Sequence, residues 1–552
     1  MKLFYKHRWP ILLAVTAIAI AVIMQIPQWL HARSPLSRGI PVQLNSDEDL
    51  YLARVQEALT GRLNQTAEAI VGDPALKSSN PAFIEEVEGV LFQWTGWRAA
   101  TIEQVMDSVT PPLIFLALVL FFSLCGFSRS FAYAGAILFI VIELYSLNRP
   151  VQQRDSFLLL LLALDGIIMS FPYRRYFGVA GGVALGLLMG AYFWAWTFGW
   201  MWLAILFCGA CAHWIRQRTP GSVRHVLTVC GIGIVGVIAA VPAVLDLMKV
   251  LQSPFSADAQ FRSGLHPSHL PESWIYSILF ALMVGGVLLE VWRRPAIAKR
   301  YPFVIVTVLT AFVVMNQQVL HGFVFDFVSH YLFSLAMAAI GVLLLALTLR
   351  TRPMFLAGAA AAVYLLALGY DGRHVISQFR VEAGRFQEQH FESLLPVLDE
   401  LPRSTILTDP QSSLFIAAQT SHDVVYTVYL QNALMSNQEL AERYCLTQIF
   451  VAPAERQIEN AQPLIYPAAE RAFRNDPSVR TKEVELVMAA CAQIDKNPAA
   501  VLRKFGVQYI LWDQERQPAW NLRRLRFSIK KAASGSGWSL WKLSWLPLAA
   551  VH

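Results

Sequence analysis

Three consecutive carboxylates, Asp47, Glu48 and Asp49, open a helical stretch that runs from Asn45 to Gly61, directly after the first apolar segment of the chain. At 3.6 residues per turn, Asp47, Tyr51, Arg54 and Ala58 share one face, and Leu52, Val55 and Leu59 share the apolar one. The acids therefore sit at the mouth of the helix, on a scaffold anchored beside a membrane, where they are candidate functional residues. Part of the pattern has a plain structural reading. Ser46 and Asp49 have capping-box spacing, and acids in a first turn complement the helix dipole. Capping accounts for one or two acids, not for three with a facing Tyr and Arg.

Other polar residues gather where apolar segments end. The stretch Leu147 to Asp155 places Arg149 and Arg154 around Pro150, with Glu143 one turn earlier. An arginine pair of this kind suits a phosphate, since each guanidinium offers a planar fork of donors; interfacial snorkelling is the alternative. Asp165 lies inside an apolar run, where a carboxyl must face protein or water. Tyr192 to Trp200 is an aromatic cluster, suited to a belt at the membrane interface or to a sugar or lipid groove. Between Met248 and Ser273 stand Asp258, Arg262, His266, His269 and Glu272; the intervening Pro267 spoils a helical ligand pair. Asn316 to Tyr331 brings three carboxamides, Asn316, Gln317 and Gln318, with His321 and His330, all able to meet a phosphate or a sugar hydroxyl or to close a helix hairpin.

The elements that must position these residues are membrane helices. The chain has 552 residues, 55% hydrophobic and only 15% charged, which excludes an ordinary soluble domain. Apolar runs are expected near 9–30, 111–127, 130–147, 156–172, 176–193, 196–214, 223–247, 273–292, 301–319, 329–349 and 353–370, eleven spans in all. With the N-terminus inside, fifteen basic residues fall in cytoplasmic segments, against Arg149, Arg154, Lys249 and Arg262 in short outer loops. That bias places the long loop 31–109 and everything after residue 370 outside. It also accounts for the net charge of +7 without nucleic acid as a partner. The first span follows a basic start but lacks a small-x-small cleavage site, and reads as an uncleaved anchor. In the loop, Phe83, Val87, Val90, Leu91 and Trp94 form an apolar stripe which, with Trp97, is expected to lie flat on the outer leaflet.

Residues 371–552 have the composition of a small α/β domain. Asn497 and Pro498 read as N-cap and first helical position, Gly506 as a stop, and Val507 to Trp512 as a buried strand. Strands are also expected at Ser404 to Thr408 and Val424 to Tyr429, and a capping box at Ser436 and Glu439. The domain carries no glycine fingerprint, serine elbow or metal spacing. Its two cysteines, Cys445 and Cys491, suit a disulfide in an oxidising compartment. Arg516, Arg523, Arg524, Arg526, Lys530 and Lys531 form a basic run that reads as a solvated face or a contact with anionic lipid headgroups.

An acidic motif in the first outer loop, flat helices after it, about eleven spans and an external C-terminal domain together resemble the GT-C class of membrane glycosyltransferases over residues 1–370. The likeness rests on Asp47-Glu48 with Tyr51 and Arg54, on Arg149-Pro150, and on Asn316-Gln317 with Gly322 and His330-Tyr331. The resemblance implies transfer of a sugar from a polyprenyl-phosphate carrier to a hydroxyl of a glycan or lipid acceptor at the outer face of a bacterial inner membrane, with inversion. Asp47, with Glu48 second, then becomes the candidate base for the acceptor hydroxyl; Arg149, Arg154, Arg262 and His330 become candidates to stabilise the departing phosphate, with Tyr51, Arg54, Asn316, Gln317, His321 and Tyr331 as further candidates to bind substrate or phosphate. The second-loop acid by which some members bind a divalent cation such as Mg or Mn has only Asp155 and Glu143 as counterparts, with Asp49 in the first loop. A lipid or polysaccharide transporter or polymerase, or a non-catalytic membrane-anchored assembly protein, would share the many spans. The first is expected to show internal repeats, and the last to tolerate Asp47→Asn.

Overall fold

The computed structural model describes residues 2–44, 48–62, 81–148, 151–171, 175–324, 328–371, 378–456, 458, 465, 476–525 and 528–544. They divide into two compact units. The first is Met1–Trp29, Gln104–Asp246 and Pro267–Arg380; the second is Leu30–Glu103, Leu247–His266 and Val381–His552.

The first unit is helical. In chain order its helices are α1 (Lys2–Ala32), α4 (Ala99–Leu124), α5 (Arg129–Ile142), α6 (Val151–Met169), α7 (Arg175–Leu187), α8 (Phe193–Gln217), α9 (Pro220–Gln252), α11 (Trp274–Arg293), α12 (Ala296–Arg300), α13 (Pro302–Met315), α14 (Gln317–His321), α15 (Leu332–Leu349) and α16 (Arg352–Asp371), the ends of α1, α4 and α9 running into the second unit. Among the described residues seven helices are long and apolar enough to cross a membrane, and Arg129–Ile142, Arg175–Gly190 and Pro302–Met315 are shorter apolar ones. This is an integral membrane protein. Helix α6 adds 19 residues, with Arg154 and Asp155 in its polar first turns and Asp165 inside the apolar run that follows. The stretch expected to make two barely adequate spans, 176–214, does form two helices, α7 and α8.

Burial sorts these helices. Every residue of α15 from Phe333 to Val342 is buried, so this helix is surrounded by others, as its lack of any polar face dictates. Helix α9 instead leaves Leu227, Ile234, Val237, Ile238 and Leu245 exposed, the composition of a face turned to lipid. Without a hydrophobic drive between helices in lipid, close contact needs small residues. A Cβ on Gly181 of α7 would stand 2.8 Å from the Ala163 carbonyl of α6, and one on Gly182 2.8 Å from the Ile232 carbonyl of α9. Two boundaries differ from the expected spans. Helix α4 starts at Ala99, well before the expected 111, and Pro111 and Pro112 lie inside it. Helix α5 ends at Ile142, where the Glu143 N–H closes on the Phe139 carbonyl at 2.9 Å.

The second unit gathers α2 (Glu48–Leu59), α3 (Phe83–Phe92), α10 (Ser256–Arg262) and the C-terminal chain. The expected first loop is thus folded with the C-terminal domain. The C-terminal helices are α17 (Leu395–Asp399), α18 (Pro410–Gln419), α19 (Asn437–Thr447), α20 (Pro477–Lys496) and α21 (Pro498–Lys504). The strands are β1 (Thr405–Leu407), β2 (Asp423–Val424), β3 (Val507–Asp513), β4 (Ile529–Gly535) and β5 (Trp538–Leu543), ordered β2-β1-β3-β5-β4. The three strands β2, β1 and β3 run parallel, and the β4–β5 hairpin adds antiparallel to β3. The expected N-caps form: Ser436 accepts from Glu439 N–H at 3.1 Å, and Asn497 from Ala500 N–H at 3.1 Å. The strand expected over Val424 to Tyr429 is confined to Asp423–Val424, because the chain turns into a 3-10 helix at Leu430–Asn432. Cys445 and Cys491 are joined in a disulfide that links α19 to α20.

Helix α2 packs on α3 and on α18. Its seam with α3 is set by Gly89, where any Cβ would overlap that of Ala58. Ile40 and Ala53 enter the same buried cluster as Phe391, Leu394 and Phe415.

Candidate functional site

Asp47 lies outside the described residues, with Asn45 and Ser46. Glu48 is the first residue of α2, and its Oε2 accepts from the Leu44 N–H at 2.9 Å, so the carboxylate is turned back over the helix mouth. Asp49 is buried beneath it, and its Oδ1 has no hydrogen-bond partner among the described residues. Burial pushes the Asp49 carboxyl up to about 7; the Gln43 side chain and the Arg516 charge pull the other way, and Glu388 adds to the rise. A carboxyl so placed is about half protonated at pH 7, which suits a packed hydrogen-bonding acid better than a cation ligand.

Tyr51 and Arg54 follow on α2. Arg54 is buried, its Nη1 is 3.3 Å from Glu85 Oε1, and its guanidinium lies 6.0 Å from the centre of the Tyr51 ring. The expected phosphate ligand therefore has an interior partner and ties α2 to α3. Arg262, expected in the same role, is fully buried: Nη1 donates to Asn437 Oδ1 at 2.6 Å and Nη2 to the carbonyls of Ala433 and Met435 at 2.6 and 3.1 Å. It anchors α10 within the second unit.

That unit holds a further polar cluster at the C-terminal end of β3. Asp513 Oδ1 accepts from the N–H groups of Glu515 and Arg516 at 3.0 and 3.1 Å. Its Oδ2 accepts from Ser412 Oγ at 3.3 Å and stands 3.3 Å from His390 Nε2, while Arg516 pairs with Glu388. Burial would lower His390, but Asp513 beside it wins and holds the imidazole above its ordinary value; the burial that would raise Asp513 is likewise outweighed by His390 and the amide donors.

In the helical unit Arg149 and Pro150 lie outside the described residues. Arg154 is fully buried between two carboxylates: it pairs with Asp107 of α4 and, through Nη2 at 3.2 Å, with Asp155. Asp107 was not apparent from sequence, because it was assigned to the loop before the span. Glu143 is buried at the end of α5. Among the described residues no three His, Cys, Asp or Glu side chains gather to hold a metal.

Two segments that the sequence left apart do meet in this unit, the aromatic run of 192–200 and the polar run of 316–331. Tyr331 Oη accepts from Gln317 Nε2 at 2.9 Å and lies 2.7 Å from Thr197 Oγ1. Tyr192 Oη is 2.7 Å from His330 Nδ1, and the Trp194 ring centre is 4.3 Å from that of His330. Asn316 has the structural role: its Oδ1 accepts from Ser277 Oγ at 2.7 Å and its Nδ2 donates to the Phe312 carbonyl at 2.8 Å, closing α13 against α11. His321 is exposed, its Nδ1 accepting from the Phe323 N–H at 3.2 Å. Asp326 lies outside the described residues. Asp165 is buried with neither carboxyl oxygen bonded among the described residues.

These features define a polytopic helical membrane protein with a C-terminal α/β domain. No protein-family model matches the chain, and no curated protein matches it. Solved structures do align with it. The Archaeoglobus fulgidus oligosaccharyltransferase tethered with an acceptor peptide is 12% identical at TM-score 0.48, over 100% of this chain and 76% of that one. ArnT from Cupriavidus metallidurans bound to undecaprenyl phosphate is 12% identical at TM-score 0.49, over 97% of this chain and 98% of that one. Neither TM-score reaches one half.

Proposed function

We propose that this protein is a GT-C-like glycosyltransferase that moves a sugar from a polyprenyl-phosphate carrier to a hydroxyl of a glycan or lipid acceptor. The observation that carries this reading is the built acidic mouth of α2, with Glu48 turned back over its first turn and Asp49 buried beneath. Asp47 takes the acceptor proton, and Glu48 is the second candidate. The hydroxyl oxygen attacks the anomeric carbon, the bond from that carbon to the phosphate oxygen breaks, and the electron pair leaves with the phosphate. One displacement inverts the anomeric centre.

The sequence offers groups suited to the growing phosphate charge. Arg149 is the leading cation, and His330 with Gln317 and Tyr331 forms a set of donors ordered by Tyr192 and Thr197. Arg154, held by Asp107 and Asp155, serves as a fixed internal charge rather than a direct ligand. The reaction is read as taking place at the outer face of a bacterial inner membrane, with the N-terminus inside; the apolar helices support a membrane setting and the basic-residue bias supports that orientation.

Complementation of a deletion strain tests this, scored by surface-glycan profile and by membrane abundance of the protein. Asp47→Asn is expected to accumulate normally and to lower transfer by about 10² to 10⁴; Glu48→Gln is the companion variant. Wild-type glycan in both would sink the transferase reading.

A further inference from the structure

The backbone that leads into the acidic turn is held by a stretch of chain that follows it by roughly 350 residues. Gln389 Oε1 accepts from the N–H groups of Arg38 at 2.7 Å and Ile40 at 3.3 Å, and its Nε2 donates to the Ile40 carbonyl at 2.7 Å. One buried side chain thus takes the place of a strand partner for segment 38–40. Four residues earlier, Arg385 Nη1 donates to the carbonyls of Gln43 at 3.2 Å and Leu44 at 3.3 Å. The N–H of Leu44 is the group that Glu48 Oε2 accepts from. Apolar contacts lock the same two strips together. The rings of His31 and Phe386 are 5.7 Å apart, and Phe391 shares a buried cluster with Ile40 and Ala53.

We propose that the segment Ala383–Phe391 is a strap that sets the position of the acidic turn, with Arg385 and Gln389 as positioning residues for Asp47 and Glu48. This rests on the reading of that turn as the catalytic base. It gives the C-terminal domain a role in the reaction without a substrate of its own: it holds the backbone of 38–44 that leads to the acidic residues. Positioning is worth this much structure. A displacement of about 1 Å at a reacting group costs on the order of 10² in rate. The hydrogen bonds of the strap go to main-chain groups, so they fix the path of the loop whatever its side chains are. Arg385 spans two consecutive carbonyls immediately before residues 45–47, at the last described residues ahead of Asp47.

The test uses the full-length protein under an inducible promoter in the deletion strain, with Arg385→Ala, Gln389→Ala and the double variant, and Arg385→Lys as the conservative rescue. The protein level needed to restore the wild-type glycan profile is expected to rise ten- to a hundredfold in the double variant and to fall back in Arg385→Lys. Hydrogen exchange on the purified proteins is expected to speed up in peptides covering 38–50 and to stay unchanged in those covering 437–447. A domain merely destabilised would loosen both regions, and that result overturns the proposal. Unchanged exchange over 38–50 with full activity in the double variant, in a protein that Asp47→Asn inactivates, overturns the strap alone. Full activity of Asp47→Asn overturns the transferase reading and the catalytic role of the strap with it. Should the double variant fail to accumulate, Arg385→Ala alone frees the Gln43 and Leu44 carbonyls, which water can bond, and gives the same readouts.

Discussion

At the scale of single residues, charge is placed where burial makes it costly. Arg154 is the clearest case, enclosed with Asp107 and Asp155. Removing one partner of a buried ionic set leaves the others uncompensated, at about 3–5 kcal/mol. Arg154→Met is therefore expected to lower the melting temperature in detergent sharply, while the triple change with Asp107→Leu and Asp155→Leu restores much of it; equal melting of the single variant and wild type would refute this. Asp49 gives a prediction with a pH sign. Its carboxyl rises from its ordinary 3.8 to about 7, so between those values the folded state keeps a proton that the unfolded chain has lost. Stability contributed by this group falls as pH rises from about 4 and levels off above about 7. Asp49→Asn is expected to melt close to wild type at pH 4.5 and higher than wild type at pH 8. A shift of the same size at both would show that the carboxyl is not the titrating group.

At the scale of elements, periodicity and caps were legible, and long-range partners were not. The caps at Ser436 and Asn497 and the buried strand β3 followed from local chemistry, whereas the two faces expected of α2 did not separate: Arg54 and Ala58 of the polar face are buried along with Leu52 and Val55 of the apolar one, because the helix packs on two sides. Arg54 and Arg262 could not be read the same way, since the groups that accept from them stand 31 and 171 to 175 residues away. The β4–β5 hairpin was hidden by its lysines, which sit on a sheet edge where charge is a normal guard against pairing. Helix α3 shows the reverse. Its stripe was expected to be apolar, and the structure leaves Val87, Val90, Leu91, Trp94 and Trp97 exposed, with Trp94 at 81%. Its other side is taken up by Glu85, which pairs with Arg54, and by Gly89 against Ala58. An apolar face with a tryptophan at its end is suited to the headgroup layer. Leu91→Ser with Trp94→Ser is thus expected to leave the fold intact and to cut spin-label immersion depth at residue 87 in vesicles; unchanged depth would remove the helix from the interface.

At the scale of the whole molecule, composition announced a membrane protein and the change of composition near residue 370 announced a second domain, but a boundary read along the chain missed that residues 30–103 and 247–266 fold with it. No local signal marks such a union. The disulfide turns the proposed orientation into a measurable question. Cys445 and Cys491 close a loop of 46 residues between α19 and α20, a constraint worth about 2–4 kcal/mol to the folded domain. Such a bond persists in an oxidising compartment and not in a reducing one. The four remaining cysteines, Cys125, Cys208, Cys211 and Cys230, all belong to the helical unit. In a protein with those four changed to serine, a thiol reagent applied to denatured, unreduced membranes is expected to leave Cys445 and Cys491 unlabelled, and to label both after reduction. Cys445→Ser with Cys491→Ser should lower the melting temperature while leaving the glycan profile intact at permissive temperature, since neither sulfur lies in the acidic turn or the strap. Labelling of both cysteines without reduction would put the domain on the reducing side, and the sugar transfer would then have to be relocated to the opposite face of the membrane.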